Sequence, residues 1–520
     1  MTERLGGRNG ADCLVETLVA NGVTACFANP GTSEMQFVSA LDHQPAMRPV
    51  LCLFEGVATG AADGYGRMTG HPACTLLHLG PGYGNGLANS HNARRAFTPI
   101  VNIVGDHATY HRRHDAPLSS DIAAIAGANS VWVRSAQSAD EVGGLATEAV
   151  AASIEPPGGS ASLILPADCA WSTTSVVGGR VEARSKAEVD DAIIADVAQR
   201  LHGANRPVLL LGSGACSEAG LAAAGRIAAG GTRVLTDTFI ARQPRGAGRF
   251  APDRMMYFAE MALVDLAGVD LMVLVETVTP VAFFAYPDQP GVLVPEGCAV
   301  ATLVGRGENG VAAMQALADR LCAPTDPMTR PLILPEVPPG QLTPATAGAA
   351  IARHLPEGAI VSDDSVTSGQ PILNSTRSAR PHEWLGLTGG AIGQGIPVAV
   401  GAAVARPDRK VVSLNGDGAA FYTLQGLWTA ARESLDITVV VFANRAYRIL
   451  GIELGRTGAS GPGRAASRLL SLDEPAADWT SLARGMGVSA RRCENSEAFE
   501  LAFREAMENP GPRLIEAVVA

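Results

Sequence analysis

An aspartate between two glycines closes the apolar run "VVSLNGDG", and an asparagine closes the next one, "ITVVVFAN". Asp417 and Asn444 therefore stand 27 positions apart (444 minus 417). The flanking glycines, Gly416 and Gly418, let a ligand approach the backbone, and a helix starting near Ala419 would offer free amide groups to an anion. A carboxylate beside an anion is repulsive unless a divalent cation lies between them, and Mg²⁺, which prefers oxygen ligands, suits that place. Asp417, Asn444 and a nearby backbone carbonyl would supply three protein oxygens. Taken alone, Asp417 could equally be an N-cap and Asn444 a turn residue.

Two further side chains stand where chemistry is possible. Glu55 follows Phe54 and opens the helical stretch "EGVATGAADGYGRMTG", so its carboxyl is partly desolvated and able to share a proton. His78 ends the apolar run "ACTLLH" just before Gly-Pro-Gly, where strand tips face a site, and imidazole titrates near neutrality. The spacing of His107, His111 and His114 in "GDHATYHRRHDAPL" suggests a metal, but cysteine or acid partners are missing and the stretch reads as a polar loop.

These residues need elements to hold them. Strand, tight turn, helix and strand form a crossover unit, and ligands of open parallel sheets bind beyond the carboxyl ends of the strands. Asp417 and Asn444 are thus expected to face one crevice. The same alternation of apolar runs and helical sequence recurs along the chain, in an α/β pattern of three doubly wound parallel-sheet domains. Polar or Pro/Gly-rich stretches around 171–188 and 323–345 separate an N-terminal domain (1–175), a middle domain (188–325) and a C-terminal domain (340–520). A chain of 520 residues exceeds what one hydrophobic core organises. In the middle domain, "LGSGACSEAG" lacks the full G-x-G-x-x-G and its downstream acid, so no nucleotide is expected there.

Composition narrows the function. A net charge of −11 without a large Lys/Arg cluster argues against a nucleic-acid partner and for small-molecule chemistry. The nine cysteines form no C-x-x-C pair, and most sit in apolar runs, as expected of reduced core residues in a cytoplasmic protein. The N-terminus is a polar lead followed by an amphipathic helix without the apolar core of a signal peptide. No run reaches the roughly 18 apolar residues a membrane span needs.

The stretch "NGDGAAFYTLQGLWTAARESLDITVVVFAN" closely resembles the diphosphate-binding motif of thiamin-diphosphate (ThDP) enzymes, and the three-domain order resembles their pyrimidine-binding, middle and diphosphate-binding domains. Within that family the chain is most similar to benzoylformate decarboxylase and acetolactate-synthase-like proteins. The resemblance implies a ThDP- and Mg²⁺-dependent lyase or ligase acting on a 2-oxo acid. The most similar activity is non-oxidative decarboxylation; carboligation to a 2-hydroxyketone, or a member that has lost catalysis, are the alternatives. Glu55 would hydrogen-bond the aminopyrimidine and promote deprotonation of the cofactor. Asp417, Asn444 and the Ala446 carbonyl would hold Mg²⁺. From "GLTGGAIGQG", Ile392 would bend the cofactor and Gly390 would offer it a carbonyl, with Thr367, Gly416, Gly418, Ala419 and Asn444 also in contact. His78 and Thr32 would handle substrate and protons, and Leu450, Phe283 and Phe284 would line the substrate pocket. The resemblance further implies a homodimer at least, with a homotetramer usual, because the two cofactor-clasping domains come from different subunits.

The chain also departs from the pattern. Ala443 and Arg445 replace a usual asparagine and glycine around Asn444. "PVAFFAYPDQPG" carries Phe283, Phe284 and Tyr286 where benzoylformate decarboxylase has a second histidine. His78 stands where acetolactate synthases have glutamine, and the chain is shorter than theirs, so no flavin is expected.

Overall fold

The computed structural model describes residues 7–182, 184–459 and 461–519. The first part of the chain builds strands β1 (Ala25–Asn29), β2 (Arg48–Leu51), β3 (Ala73–Leu77), β4 (Ile100–Asp106), β5 (Trp132–Ser135) and β6 (Ser160–Pro166). They form one sheet in the order β2-β1-β3-β4-β6-β5, every pair parallel. Strands β3, β4 and β6 are buried at every position, as unbroken apolar strands covered by helices on both faces must be. β2 begins with exposed Arg48 and Pro49 and is accordingly an edge.

The next stretch supplies β7 (Pro207–Leu211), β8 (Arg233–Thr236), β9 (Gln243–Arg245), β10 (Asp253–Arg254), β11 (Leu271–Val275) and β12 (Ala299–Val304). All but β9 make a parallel sheet ordered β10-β8-β7-β11-β12. The last part contributes β13 (Ile360–Asp364), β14 (His382–Leu385), β15 (Val411–Gly416), β16 (Ile437–Ala443), β17 (Ser489–Cys493) and β18 (Arg513–Val518), ordered β17-β18-β16-β15-β13-β14-β9. The three sheets are the expected α/β architecture with one amendment. β9 leaves the middle stretch and pairs antiparallel with β14, so the third sheet is mixed at that edge.

The first and third sheets share a core. Helix Glu55–Thr69 lies across helix Gly395–Ala405, and one apolar cluster runs from Val57 and Ala61 through Val398 and Ala402 to Leu427 and Val439. The crossing depends on missing side chains. A Cβ at Gly64 would lie 2.1 Å from the Val398 carbonyl oxygen, and one at Gly401 would lie 1.8 Å from that of Ala61. Arg67, buried on the same helix, pairs with Asp63 and donates to the carbonyls of Ala241 and Gly386 and to the Thr388 hydroxyl and Gln394 amide oxygen. A single guanidinium therefore fastens all three parts of the chain together.

Among the described residues no helix is long and apolar enough to cross a membrane. The amphipathic N-terminal helix is Gly10–Ala20; the lead before it falls partly outside the described residues. All nine cysteines are free, and seven are buried, but Cys298 is only half-buried and Cys322 is exposed, so the core reading does not hold for those two.

Candidate functional site

Asp417 begins where β15 ends, its neighbour Gly416 being the last strand residue, and Asn444 directly follows β16. β15 and β16 are adjacent and parallel, which brings the two side chains to one sheet end, as the crossover pattern required. The backbone holds both oxygens in place. Asp417 Oδ1 accepts the Gly418 N–H at 2.9 Å and Oδ2 accepts the Arg445 N–H at 2.6 Å; Asn444 Oδ1 accepts the Ala446 N–H at 3.0 Å. Asp417 is 4 % exposed, and burial pushes its carboxyl above the ordinary aspartate range. A buried carboxylate with only two backbone donors, beside an amide oxygen, is a donor set that suits a hard divalent cation. Among the described residues no group of three or more His, Cys, Asp or Glu could hold a metal. The rings of His107, His111 and His114 stand 5.5 Å apart in succession, His114 ending the short helical turn Arg112–His114.

Two details differ from the sequence reading. The helix expected from Ala419 is only four residues long, Asp417–Ala420, and helical structure resumes at Gly426–Arg432. Arg445 adopts φ +56°, the left-handed conformation that glycine takes without cost. What Asp417 receives from Arg445 is its backbone N–H, so the arginine keeps the contact a glycine would make.

Around this centre lie the other residues of the third sheet. Gly390 has φ +75° and is exposed, and Ile392 is half-buried two positions on. Their loop is clamped from beneath by Asp364, whose Oδ2 accepts the N–H groups of Gly393, Gln394 and Gly395 at 2.8, 3.0 and 3.2 Å. Complete burial raises the Asp364 carboxyl to about 7, and its Oδ1 has no partner. Gly418 and Ala419 are buried, and a Cβ on Gly418 would sit 2.4 Å from the Tyr447 ring. Thr367 lies in the short 3-10 helix Val366–Ser368, which neighbours helix Arg448–Arg456, and that helix carries exposed Leu450. Phe283 approaches Gly390 from the middle stretch, its ring 3.2 Å from where a Cβ would stand. It packs on Phe239 at 5.3 Å, Tyr257 at 5.0 Å and Phe284 at 5.9 Å between centroids. The loop thus faces an aromatic wall.

A second cluster forms at the first sheet. Glu55 is the first residue of its helix, 8 % exposed, and its Oε2 accepts from Asn85 Nδ2 at 3.0 Å. Gly82 lies against both Glu55 and His78: a Cβ there would be 3.1 Å from Glu55 Oε1 and 3.3 Å from His78 Cβ. The His78 ring packs flush on Gly31, next to exposed Thr32, and its Nδ1 is 2.9 Å from Glu34 Oε2. Glu34, 1 % exposed, also accepts from the Gly31 N–H and the Ser33 hydroxyl, so it orients the histidine and leaves Nε2 for another partner. Sequence reasoning missed Glu34 although it lies two residues past Thr32; what pairs it with His78 is the adjacency of β1 and β3. Asn85, Asp364, Phe239 and Tyr257 were missed too, for lack of any local signal.

Side chains of the helix Leu79–Ala96 tie the first-sheet cluster to the Gly390 loop: His91 Nε2 lies 3.2 Å from the Gly389 carbonyl, and Asn92 bonds both the N–H and the carbonyl of Ala391. Asn89 Nδ2 donates to the carbonyls of Gly56 and Gly393. Among the described residues no hydrogen bond or ion pair joins Glu55, His78 or Thr32 to Asp417, Asn444 or Ala446.

Comparison with known proteins agrees in kind. Residues 8–125 match the N-terminal and residues 368–517 the C-terminal TPP-binding domain of thiamine pyrophosphate enzymes, thiamine pyrophosphate being another name for ThDP. The chain is 51 % identical over 515 residues to a Mycobacterium tuberculosis protein provisionally named acetolactate synthase large subunit, covering 98 % of this chain and 99 % of that one. It is 27 % identical over 529 residues to benzoylformate decarboxylase of Pseudomonas aeruginosa, covering 96 % and 97 %. Its fold superposes with a TM-score of 0.85, at 24 % identity and 98 % and 99 % coverage, on the 4-hydroxybenzoylformate decarboxylase of Rhodococcus jostii.

Proposed function

The chain belongs to the thiamine pyrophosphate enzymes, of the acetolactate synthase and benzoylformate decarboxylase type, and from that premise we propose that it is a Mg²⁺-dependent, non-oxidative decarboxylase of a 2-oxo acid. The observation that supports this best is the pair of side-chain oxygens of Asp417 and Asn444 at the adjacent ends of β15 and β16, to which the Ala446 carbonyl would add a third. ThDP, when bound, supplies an electron-accepting ring that stabilises the charge left on the carbonyl carbon as CO₂ departs.

The protein's own groups do the rest. Asp417 and Asn444 would hold a cation that neutralises the diphosphate. Glu55, kept in place by Asn85, would hydrogen-bond the aminopyrimidine and could share a proton with it. His78, with Nδ1 against Glu34, moves a proton at its Nε2, and Thr32 orients the substrate carboxylate. Phe283 and Phe284 exclude water and favour a flat or bulky acyl group. The complete site is built between two copies of the chain, one giving Glu55, His78 and Thr32 and the other Asp417, Asn444 and Phe283.

The 51 % identity to a protein named as an acetolactate synthase favours a second reading, carboligation of the decarboxylated substrate to an acceptor carbonyl. CO₂ release and product identification by mass spectrometry, from a panel of 2-oxo acids with ThDP and Mg²⁺ and with or without an aldehyde acceptor, separate the two. Aldehyde product sustains the decarboxylase and hydroxyketone the ligase. ThDP binding without turnover on any substrate would defeat both.

A further inference from the structure

The middle sheet has the strand order of a nucleotide-binding fold, with the topological switch between β7 and β11, where a dinucleotide's phosphates would rest. Its parts are present there. The turn Gly212–Ser213–Gly214 follows β7, and Asp237 follows β8, 25 positions after Gly212 (237 minus 212), supplying the acid that the sequence reading found missing. Helix Gly310–Arg320 starts nearby. A cavity of about 320 Å³ opens over them, lined among others by Ser213, Gly214, Asp237, Glu276, Lys186 and Arg306.

The phosphate place itself is already filled. Glu276, the residue after β11, holds φ +51°, a left-handed conformation unusual for glutamate, and in it the carboxylate turns back into the crevice. Its Oε2 lies 1.8 Å from where a Cβ on Gly214 would stand, and its Oε1 lies 2.5 Å from the corresponding point on Gly310. The Gly310 N–H itself donates to the Glu308 carbonyl, and Lys186 Nζ reaches the two Glu276 carboxylate oxygens at 3.3 and 3.2 Å. The glycine turn, the helix start and a lysine thus converge on one anion, and that anion is the chain's own side chain.

We infer that Glu276 is a built-in substitute for a nucleotide phosphate, that the protein works without a flavin or adenine nucleotide, and that removing this carboxylate turns the crevice into a phosphate-binding site. Lys186 lies on the link between the first and middle sheets, where Ala187 bridges to Glu308 and Glu188 accepts from Asn309. The same ion pair therefore fastens the link to the crevice.

Isothermal calorimetry with ADP and with FAD tests this on the wild type, Glu276→Gly, which suits the left-handed backbone, and Glu276→Ala, with circular dichroism as the check of folding. The wild type should show no binding at about 1 mM ligand, and a folded variant should bind ADP at least about tenfold more tightly. ADP or FAD bound to the wild type with micromolar affinity, or a nucleotide released from the purified protein on denaturation, overturns the inference. So does a folded variant that gains no affinity. If neither variant folds, native mass spectrometry of the wild type with ADP and FAD decides: a complex refutes the inference, and free protein alone upholds it.

Discussion

The strand–helix–strand spacing made it legible that Asp417 and Asn444 share one sheet end, and Glu55 was singled out through the family resemblance; the side chains that steady them were not legible, since each partner is distant in sequence. Glu34 meets His78 from 44 positions away and Asn85 meets Glu55 from 30. Glu55→Gln should still bind ThDP in a titration yet lose about 10²- to 10⁴-fold in kcat, the usual value of a positioned acid–base group. Unchanged turnover would remove Glu55 from the mechanism. Glu34→Gln keeps an oxygen that can accept from the Gly31 N–H or the Ser33 hydroxyl but removes the carboxylate that orients His78, and it should lower kcat less than His78→Ala does; equal losses would show that Glu34 does more than position. Asp364 yields a prediction in pH. Its folded-state value, raised from 3.8 to about 7 by burial, means that the native chain binds more protons than the unfolded chain between those limits, so stability falls as pH rises through that window. The rise corresponds to roughly 4 kcal/mol. Buried His382 works in the opposite sense: lowered to about 3 by burial, it weakens the fold as pH drops below 6.5. Both groups act in the wild type but only His382 in Asp364→Asn, so calorimetry should find the variant gaining stability relative to the wild type from pH 5 to pH 8. A constant difference would show that Asp364 is ionised throughout.

At the scale of elements, apolar runs of five to seven residues mark the central strands, whereas β5, β10, β14 and β17 carry no such run. β17, with Arg491 and Arg492 exposed, carries no apolar signal, and β14 hides a histidine, a glutamate and a tryptophan whose burial depends on Arg245 and its neighbours. β9 could not be foreseen, because its pairing with β14 crosses from one part of the chain to another. The helix crossing was equally silent: "EGVATGAADGYG" and "GIPVAVGAAVA" read as small-residue helices, and only their contact explains the glycines. Gly401→Ala would push a methyl group into the Ala61 carbonyl, a backbone atom that cannot swing aside. A loss of about 3 kcal/mol or somewhat less is expected in urea unfolding, from overpacking a tight contact. Gly144→Ala, on helix Ala139–Ile154 with open space around it, is the control and should be neutral or slightly stabilising. Equal behaviour of the two would mean that the helices are free to separate.

The whole molecule poses the question of where one site ends and its copy begins. Glu55, His78 and Thr32 sit at the first sheet, while Asp417, Asn444 and Ala446 sit at the third, and no side-chain bond joins the groups among the described residues. If a complete site takes one group from each of two chains, as proposed above, then two inactive variants must rescue each other. Glu55→Gln leaves the metal cluster intact and Asp417→Asn leaves the proton-transfer cluster intact. Coexpressed in equal amounts, they assemble at random into pairs of which about half are mixed, by the two-fold symmetry of such dimers. In a mixed pair one site collects both damaged halves and the other collects both intact ones, so about a quarter of wild-type CO₂ release should return. Each variant purified alone should stay inactive, and mixing after separate purification should restore activity only as fast as subunits exchange. If the site were assembled within one chain, every site in the mixture would carry one lesion and no activity would return, which makes this a test of assembly that no single-variant measurement can replace.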